Sequence, residues 1–226
     1  MFLLIIIGVI ALFVGPNLWV NYVMKKHHRH LEGMPGTGGE FAQHLLNQFQ
    51  LDKVTLQQGG SHDNYYSPDN NLISLSSDNY SGKSLTALAV AAHEVGHALQ
   101  FQRQEPVSFL RRKYLPKAYL IQKIGFTILL LMPIITMIVK TPLLAVVTIL
   151  VGVFTLLLSV LMYVAILPEE FDASFNKALP ILEQGGYIPP VYLPAVKQVL
   201  KAAALTYVAA ALADILRLWR WLSLVR

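Results

Sequence analysis

The sequence contains no cysteine among its 226 residues. Disulfides and thiolate ligands are therefore excluded, so any metal must be held by histidine or carboxylate side chains. Charged residues are also scarce, at 14% against about 25% in ordinary soluble domains. Hydrophobic residues make up 54% of the chain, and this balance predicts that part of the protein lies in a lipid bilayer.

Basic residues outnumber acidic ones, giving a formal net charge of +5. Such an excess is compatible with nucleic-acid binding, but the lysines and arginines cluster beside apolar segments instead of forming a basic domain. This placement is typical of the flanks of membrane-spanning helices. We therefore expect the lipid bilayer, and no nucleic acid, as a partner.

Three segments are long and apolar enough to span a bilayer, which takes about 20 residues. They run from Phe2 to Val20, from Ala118 to Val139 and from Leu143 to Leu167. Only Lys140 to Pro142 separates the second segment from the third, which predicts a tight transmembrane hairpin. The first segment lacks a basic start and a small-residue cleavage site, so we expect a retained anchor and not a secretion signal.

Lysine and arginine next to the spans predict the orientation of the chain, because cytoplasmic flanks carry an excess of both. They follow the first span and precede the second, at Lys25, Lys26, Arg29, Arg111, Arg112, Lys113 and Lys117. The N-terminus is therefore expected outside and residues 25–117 in the cytoplasm. The chain then crosses twice and returns to the cytoplasmic side at Pro168, which predicts a multi-pass protein of the cell membrane.

The last stretch, Leu193 to Leu224, is apolar but interrupted by charged residues. Its uncharged part, Ala202 to Ala213, is too short to span a membrane alone. We therefore expect a buried or interfacial helix in preference to a fourth span. Trp219 and Trp221 would suit a membrane interface.

The polar parts of the chain contain patterns for several helices and strands. Thr37 and Glu40 have the spacing of a capping box and predict a helix that continues to about Gln50. The other expected elements are a strand from Asp52 to Gly59, a hairpin from Asn64 to Ser76 with its turn at Pro68 to Asn71, a helix from Ser81 or Ser84 to about Gln102, and a helix from Pro168 to Ala178.

The stretch "HEVGH" places two histidines and a glutamate among small apolar residues. On an α-helix His93 and His97 lie about 40° apart, one turn along the same face. Glu94 follows His93 and is near enough to reach a water held by the pair. This H-E-x-x-H pattern is typical of zinc hydrolases, in which the histidines bind the metal and the glutamate is the general base. The alternative is a buried structural helix with a chance spacing.

A catalytic zinc usually has three protein ligands and an open position for water. Glu169, Glu170 and Asp172 follow the third span on the same expected side as the H-E-x-x-H helix. They are candidates for the third ligand, although acidic residues also simply favour a helix N-terminus. On a regular α-helix Glu170 shares a face with Ala173 and Ser174. Asp172 lies about 200° away and Glu169 about 100° away, so both are expected to point elsewhere.

These motifs together resemble a known family. "YYSPDNNLISLS", "HEVGHALQ", the transmembrane hairpin and "EEFDAS" are similar to the YugP-type neutral zinc metallopeptidases of bacteria, over most of the chain. A more distant resemblance is to the HtpX-type membrane peptidases, whose second motif is E-x-x-A-D. Aligning that motif on Ala173 selects Glu170 as the third ligand and puts Ser174 in the place of the aspartate. A serine orients a histidine less strongly than a carboxylate does.

The resemblance implies a zinc cofactor with Glu94 as the catalytic base. The zinc ligands would be His93, His97 and Glu170. It also implies that an edge strand above the active-site helix binds the substrate as an added strand, unless this hairpin merely packs on the helix. The candidate edge comprises Asn64, Tyr65, Tyr66 and Ser67. The candidates that would donate to the developing oxyanion are His62, Tyr65 and Tyr66.

The expected fold is a mainly α membrane protein with about three transmembrane helices and a small α+β, zincin-like catalytic domain. The expected domains are an anchor at residues 1–22, a first catalytic segment at 23–117, the hairpin at 118–167, and a second catalytic segment at 168–226 that carries the third ligand.

The predicted function is peptide-bond hydrolysis by a membrane-embedded zinc metalloendopeptidase, in the processing or quality control of membrane proteins. Expected partners are a peptide or membrane-protein substrate and a membrane-protein partner. An intramembrane protease is disfavoured, because polar residues such as Asp78 and Gln102 flank the motif. A non-catalytic membrane scaffold or chaperone with a zinc site is the other alternative. The absence of Glu94 or of a third carboxylate would favour that scaffold, and this chain contains both.

Overall fold

The computed structural model describes residues 2–61 and 63–223, and the surroundings of the side chains at 7, 8, 10–61 and 63–214. Helices make up 74% of the chain, and a three-stranded sheet is the remaining regular structure in this described part. The expectation of a mainly α protein is therefore confirmed. Among the residues whose surroundings are described, three helical segments are long and apolar enough to cross a membrane: Pro106–Val139, Pro142–Gln184 and Pro190–Asp214.

The helices and strands follow one another in this order: α1 (Phe2–Lys26), α2 (Gly38–Gln48), β1 (Thr55–Gly59), β2 (Tyr65–Ser67), β3 (Leu72–Ser76), α3 (Ser77–Ser81), α4 (Leu85–Gln102), a 3₁₀ turn (Pro106–Phe109), α5 (Leu110–Val139), α6 (Pro142–Val164), α7 (Leu167–Phe171), a π-helical segment (Asp172–Ala178), α8 (Leu179–Gln184), a 3₁₀ turn (Pro190–Tyr192) and α9 (Leu193–Ser223). The chain divides into two compact units. We call the first the helical unit (Met1–Leu18, Leu110–Leu167 and Thr206–Arg226) and the second the mixed unit (Trp19–Phe109 and Pro168–Leu205).

In the helical unit, α5 and α6 form the hairpin that the sequence predicts. A side chain added at Gly152 would collide with Leu129, and one added at Gly125 would press on Leu156. The two glycines therefore let the helices approach closely, as small residues do between membrane helices. Lys140, in the left-handed conformation with φ 52°, turns the chain between the two helices.

The C-terminal helix α9 differs from the expectation based on its uncharged stretch. It continues as one helix to Ser223, and the segment Pro190–Asp214 is apolar enough to cross a membrane by length and composition. The helix runs on through its charged residues, so the segment that could cross a membrane is longer than the uncharged stretch from Ala202 to Ala213. The length of α9 therefore does not exclude a fourth span. The side chains of Trp219 and Trp221 lie outside the described residues, so their predicted interfacial position stays a prediction.

Polar contacts join α9 to the hairpin inside the helical unit. The hydroxyl of Tyr163 donates to Gln122 Oε1 at 3.0 Å, and Gln122 Nε2 donates to Asp214 Oδ2 at 3.3 Å. Beside these groups, Ala118 and Ala211 are buried in a small apolar cluster. A hydrogen-bonded chain of this kind satisfies polar groups that would be costly to leave alone in an apolar setting.

The mixed unit contains the sheet and the H-E-x-x-H helix. Strand β3 is central, with β1 parallel on one side and β2 antiparallel on the other, which confirms the predicted β2–β3 hairpin. The predicted capping box is present, because Thr37 Oγ1 accepts from the Glu40 N–H and Glu40 Oε2 accepts from the Thr37 N–H. Helix α4 starts after Ser84, whose hydroxyl caps it by accepting from the Ala87 N–H.

Candidate metal centre

Helix α4 carries two histidines in a buried position of the mixed unit. Every residue from Leu85 to Gln100 is buried, as expected for a helix with apolar residues on all sides. His93 and His97 are one turn apart, and their Nε2 atoms lie 3.2 Å from each other. Polar side chains at such a depth must find partners within the protein or bind an ion.

The third side chain of the cluster is Glu170, which α7 supplies immediately after the third predicted span. Its Oε2 atom lies 3.3 Å from His93 Nε2 and 3.2 Å from His97 Nε2. All three residues are buried and could together hold a metal ion. Adjacent ligands in a tetrahedral zinc site, at about 2.0–2.1 Å from the metal, lie about 3.3–3.4 Å apart. The triangle of ligand atoms therefore has the dimensions of one face of that tetrahedron.

The protons on the two imidazoles can be assigned from their outer partners. The Ser174 hydroxyl donates to the Leu200 carbonyl at 3.0 Å, so at 3.0 Å it must accept the Nδ1–H of His93. Gln100 Oε1, 3.0 Å away, accepts the Nδ1–H of His97. Both Nε2 atoms therefore present lone pairs to the carboxylate of Glu170. Three acceptors that face one another are stabilised by a cation, which makes this donor set fit a zinc ion.

A positive charge beside Glu170 favours its ionised form. Burial raises the pKa of the Glu170 carboxyl, but protonated imidazoles at His97 and His93, which would stand where a metal cation would bind, lower that pKa well below its usual range. A carboxyl group must be ionised to bind a metal. Glu94, the predicted base, is buried one residue after His93 in the same helix.

The glycine of "HEVGH" allows the second ligand segment to approach α4. A Cβ added at Gly96 would lie 2.7 Å from the Ala173 carbonyl oxygen and 3.2 Å from Lys177 Cβ. Ala173 itself is fully buried. The small residue therefore sets the distance between the helix that carries the histidines and the helix that carries Glu170.

The expectation that Glu169 and Asp172 point away from the site is wrong. Glu169 is only 2% exposed, and its Oε1 lies 3.8 Å from His97 Nδ1. Asp172 Oδ2 accepts a hydrogen bond from Gln100 Nε2 at 2.8 Å. For Asp172 the prediction assumed a regular α-helix, whereas a π-helical segment with wider turns begins at this residue. Glu169 precedes that segment, in α7, and the packing of α7 buries it beside His97.

Several neighbours fix the charge of Asp172. Partial burial would raise the pKa of its carboxyl, but hydrogen bonds from Gln100 and Asn176 and the ammonium of Lys177 lower the pKa below its usual value. Lys177 also pairs with Glu105, at 2.8 Å. Sequence reasoning missed Gln100 altogether, although its spacing of three residues from His97 on a helix was a usable signal.

The candidate substrate strand occupies an edge of the described sheet, as β2, but its side chains differ in what they can do. Tyr66 is 3% exposed and its ring packs near Phe101, whereas Tyr65 is 38% exposed. The side-chain oxygen of Asn64 accepts from the Ser76 N–H at 2.9 Å and from Asn79 at 3.0 Å, so it braces the hairpin. Ser67 ends the strand. His62, a candidate oxyanion donor, lies outside the described residues.

A buried histidine–carboxylate group that could hold a metal ion, in a mainly helical chain with helices apolar enough to cross a membrane, is the combination expected of the class of membrane metalloproteins. The chain belongs to the family described as "Putative neutral zinc metallopeptidase", whose model matches residues 1–226. This confirms the resemblance inferred from the motifs.

A curated relative supports the same assignment. The chain is 32% identical over 224 residues to the "Putative membrane protease YugP" of Bacillus subtilis (strain 168), and the match covers 93% of this chain and 92% of that protein. No solved structure matches the chain.

Proposed function

We propose that this protein is a membrane-embedded zinc metalloendopeptidase. The observation that carries the proposal is the buried triangle of His93 Nε2, His97 Nε2 and Glu170 Oε2, with sides of 3.2 to 3.3 Å. Because both histidine protons are directed outward, the triangle offers three lone pairs to a cation. Two imidazoles and one carboxylate, with no thiolate, are a donor set found in catalytic zinc sites.

The residues around the triangle have separate roles in this proposal. Zinc supplies a Lewis acid that acidifies a water molecule and polarises the scissile carbonyl. Glu94 takes the proton from the attacking water and returns it to the leaving amine. Ser174 and Gln100 keep the imidazoles in the tautomer that binds metal, through the contacts to Nδ1.

The substrate would bind in an extended conformation along β2. In the described sheet this strand has β3 on one side only, so its other side can accept a further strand. The exposure of Tyr65 supports a contact with substrate there, and the burial of Tyr66 supports a structural role. Of the described oxyanion candidates, Tyr65 is therefore the one that we assign to substrate binding.

The topology proposed from the basic flanks places the catalytic residues in the cytoplasm and the N-terminus outside. Glu170 follows the predicted third span by three residues, so one ligand is tied directly to a membrane helix. We propose membrane-protein segments and other peptides as substrates, in processing or quality control. A membrane-protein partner is part of the same proposal.

The test is the variant Glu94→Gln, which removes the base and keeps the three ligands. We expect the variant to retain zinc and to cleave a reporter peptide at least about 100-fold more slowly than the parent, because general-base catalysis contributes about that much or more. Zinc content and peptide cleavage are measured on the same preparations in detergent.

The matched control is Glu40→Gln, since Glu40 lies in the capping box of α2 and not in the metal cluster. A Glu94→Gln variant that cleaves at the parent rate would overturn the assigned role of Glu94. A parent protein that binds zinc but cleaves no peptide would instead favour the non-catalytic scaffold.

A further inference from the structure

Gln100 is a fully buried amide with three hydrogen bonds in the mixed unit. Its Oε1 lies 3.0 Å from His97 Nδ1. Its Nε2 donates to the main-chain carbonyl of Glu169 at 3.0 Å and to Asp172 Oδ2 at 2.8 Å. One side chain therefore contacts the helix that carries the histidines and the segment that carries the third ligand.

The partners of Gln100 determine which way its amide points. A carbonyl and a carboxylate can only accept hydrogen bonds, so the NH₂ group must face Glu169 and Asp172. The amide oxygen is then left facing His97, where it can only accept. The nearest carboxylate oxygen of Glu169 is 3.8 Å from the same Nδ1, which is too long for a hydrogen bond.

Asp172 is in turn held by residues of its own segment. Asn176 Nδ2 donates to Asp172 Oδ1 at 2.7 Å, and Lys177 Nζ lies 3.5 Å from Asp172 Oδ2. The acceptor that fixes the Gln100 amide is therefore itself fixed in position. Nothing in this chain of contacts requires the metal, so the orientation of His97 is set in advance by the fold.

We propose that Gln100 is a positioning residue of the metal centre, which holds His97 in its metal-binding tautomer and ties the main chain before Glu170 to α4. The inference rests on the proposed zinc site. An amide suits this position because its oxygen accepts from His97 and its NH₂ group donates to the main-chain carbonyl of Glu169, next to Glu170. A carboxylate, the more usual partner of a zinc-binding histidine, could only accept.

The test compares Gln100→Leu with Gln102→Leu, and the measured quantity is the affinity for Zn²⁺ by competition with a chelator. Gln102 lies two residues further along α4, is exposed and does not contact the cluster. We expect Gln100→Leu to weaken zinc binding by about 10–100-fold, as the loss of an outer partner of a ligand does. Gln102→Leu should leave zinc affinity unchanged.

A second pair of variants separates orientation from packing. Gln100→Glu alone places two carboxylates side by side and should weaken zinc binding. Adding Asp172→Asn lets the new amide at position 172 donate to the new carboxylate at position 100, which still accepts from His97 but no longer bonds the Glu169 carbonyl. Because both variants lack that bond and differ only at position 172, the double variant should bind zinc at least about tenfold more tightly than Gln100→Glu alone.

These measurements distinguish a failure of the role of Gln100 from a failure of the proposed zinc site. If the parent binds no zinc, the proposed function itself fails. If the parent binds zinc and Gln100→Leu binds it equally well, the role of Gln100 is wrong. If Gln100→Leu weakens binding and the double variant binds zinc no better than Gln100→Glu alone, Gln100 acts through packing and the inference is also overturned.

Discussion

At the scale of single residues, the centre depends on which atoms carry protons. Ser174 and Gln100 accept the Nδ1 protons of His93 and His97, so the opposite nitrogen of each ring is left to bind a metal. Both acceptors are neutral, whereas zinc-binding histidines are often held by carboxylates. The negative charge at the ligand triangle therefore comes from Glu170, and its removal should have the largest single effect on metal binding.

The first prediction concerns that carboxylate. Glu170→Ala should lower zinc affinity by more than about 100-fold, because it removes a ligand and not merely a partner of a ligand. The control is Glu169→Gln, which keeps the size of a buried side chain that is 3.8 Å from His97 Nδ1 but is not in the triangle. Zinc affinity is measured by chelator competition.

The pair of variants also tests which of the two glutamates binds the metal. If Glu169→Gln released the metal and Glu170→Ala retained it, the third ligand would be the preceding residue. The alignment on Ala173 would then be wrong by one position.

The buried group of His93, His97 and Glu170 was predictable from the sequence, and its surroundings were not. His93 and His97 follow from helical spacing alone, and Glu170 follows from the family motif. Neither spacing nor motif shows that Glu169 is buried or that Gln100 contacts Asp172, because both depend on how two distant segments pack. In the same way, strand alternation separates Tyr65 from Tyr66, but only packing against Phe101 shows which one faces inward.

At the scale of helices and strands, the π-helical segment explains how one short stretch serves the site three times. Asp172, Ala173 and Ser174 are consecutive, and they meet α4 at Gln100, Gly96 and His93 respectively. On a regular α-helix the side chains of Asp172 and Ser174 would point about 200° apart, whereas here both reach α4, and Ala173 meets it through its carbonyl. Such segments are frequent at functional sites. No residue pattern in the sequence predicted this π-helical segment.

The close approach at Gly96 gives a prediction at this scale. Gly96→Ala should destabilise the protein by about 1–3 kcal/mol, because the new methyl group meets the Ala173 carbonyl. It should also weaken zinc binding, since the segment must move away with Glu170. The free energy of unfolding by denaturant in detergent and the zinc affinity are both measured.

Gly15→Ala is the control, because nothing lies within 4 Å of a Cβ added at Gly15 in α1. It should be neutral or stabilising by up to about 1 kcal/mol, as expected when alanine replaces glycine in a helix. An equal, harmless effect of both substitutions would show that close contact at Gly96 does not hold the two segments in place.

At the scale of the whole molecule, the sequence predicted the hairpin well and the C-terminal helix less well. Both spans of the hairpin are recognised from hydropathy, although the first of them carries Lys123 near its start. Helix α5 contains the whole of that span, and α6 contains the other as far as Val164. Helix α9 has charged residues along its length, so the length of its uncharged stretch underestimates the length of the helix. Within the helical unit, α9 contacts α5 through Asp214 and Gln122, and no local pattern encodes this contact.

The absence of cysteine makes the orientation of the chain directly testable. Single cysteines at Ser61→Cys and Thr141→Cys place one thiol in each predicted compartment, and both positions are exposed. In intact cells the thiol at position 61 should resist an impermeant reagent, because the basic flanks predict that it is cytoplasmic. The thiol at position 141 should react. The reverse pattern would place the catalytic residues outside.

The most direct test of the zinc centre is the metal content of the purified full-length protein. The parent should contain one zinc ion per chain, and the double variant His93→Ala, His97→Ala should contain none, because two of the three ligands of the buried triangle are gone. Thermal unfolding of both proteins in the presence of a chelator is the control for whether the double variant folds. An unchanged zinc content in the double variant would contradict the site, and the proposed peptidase function with it.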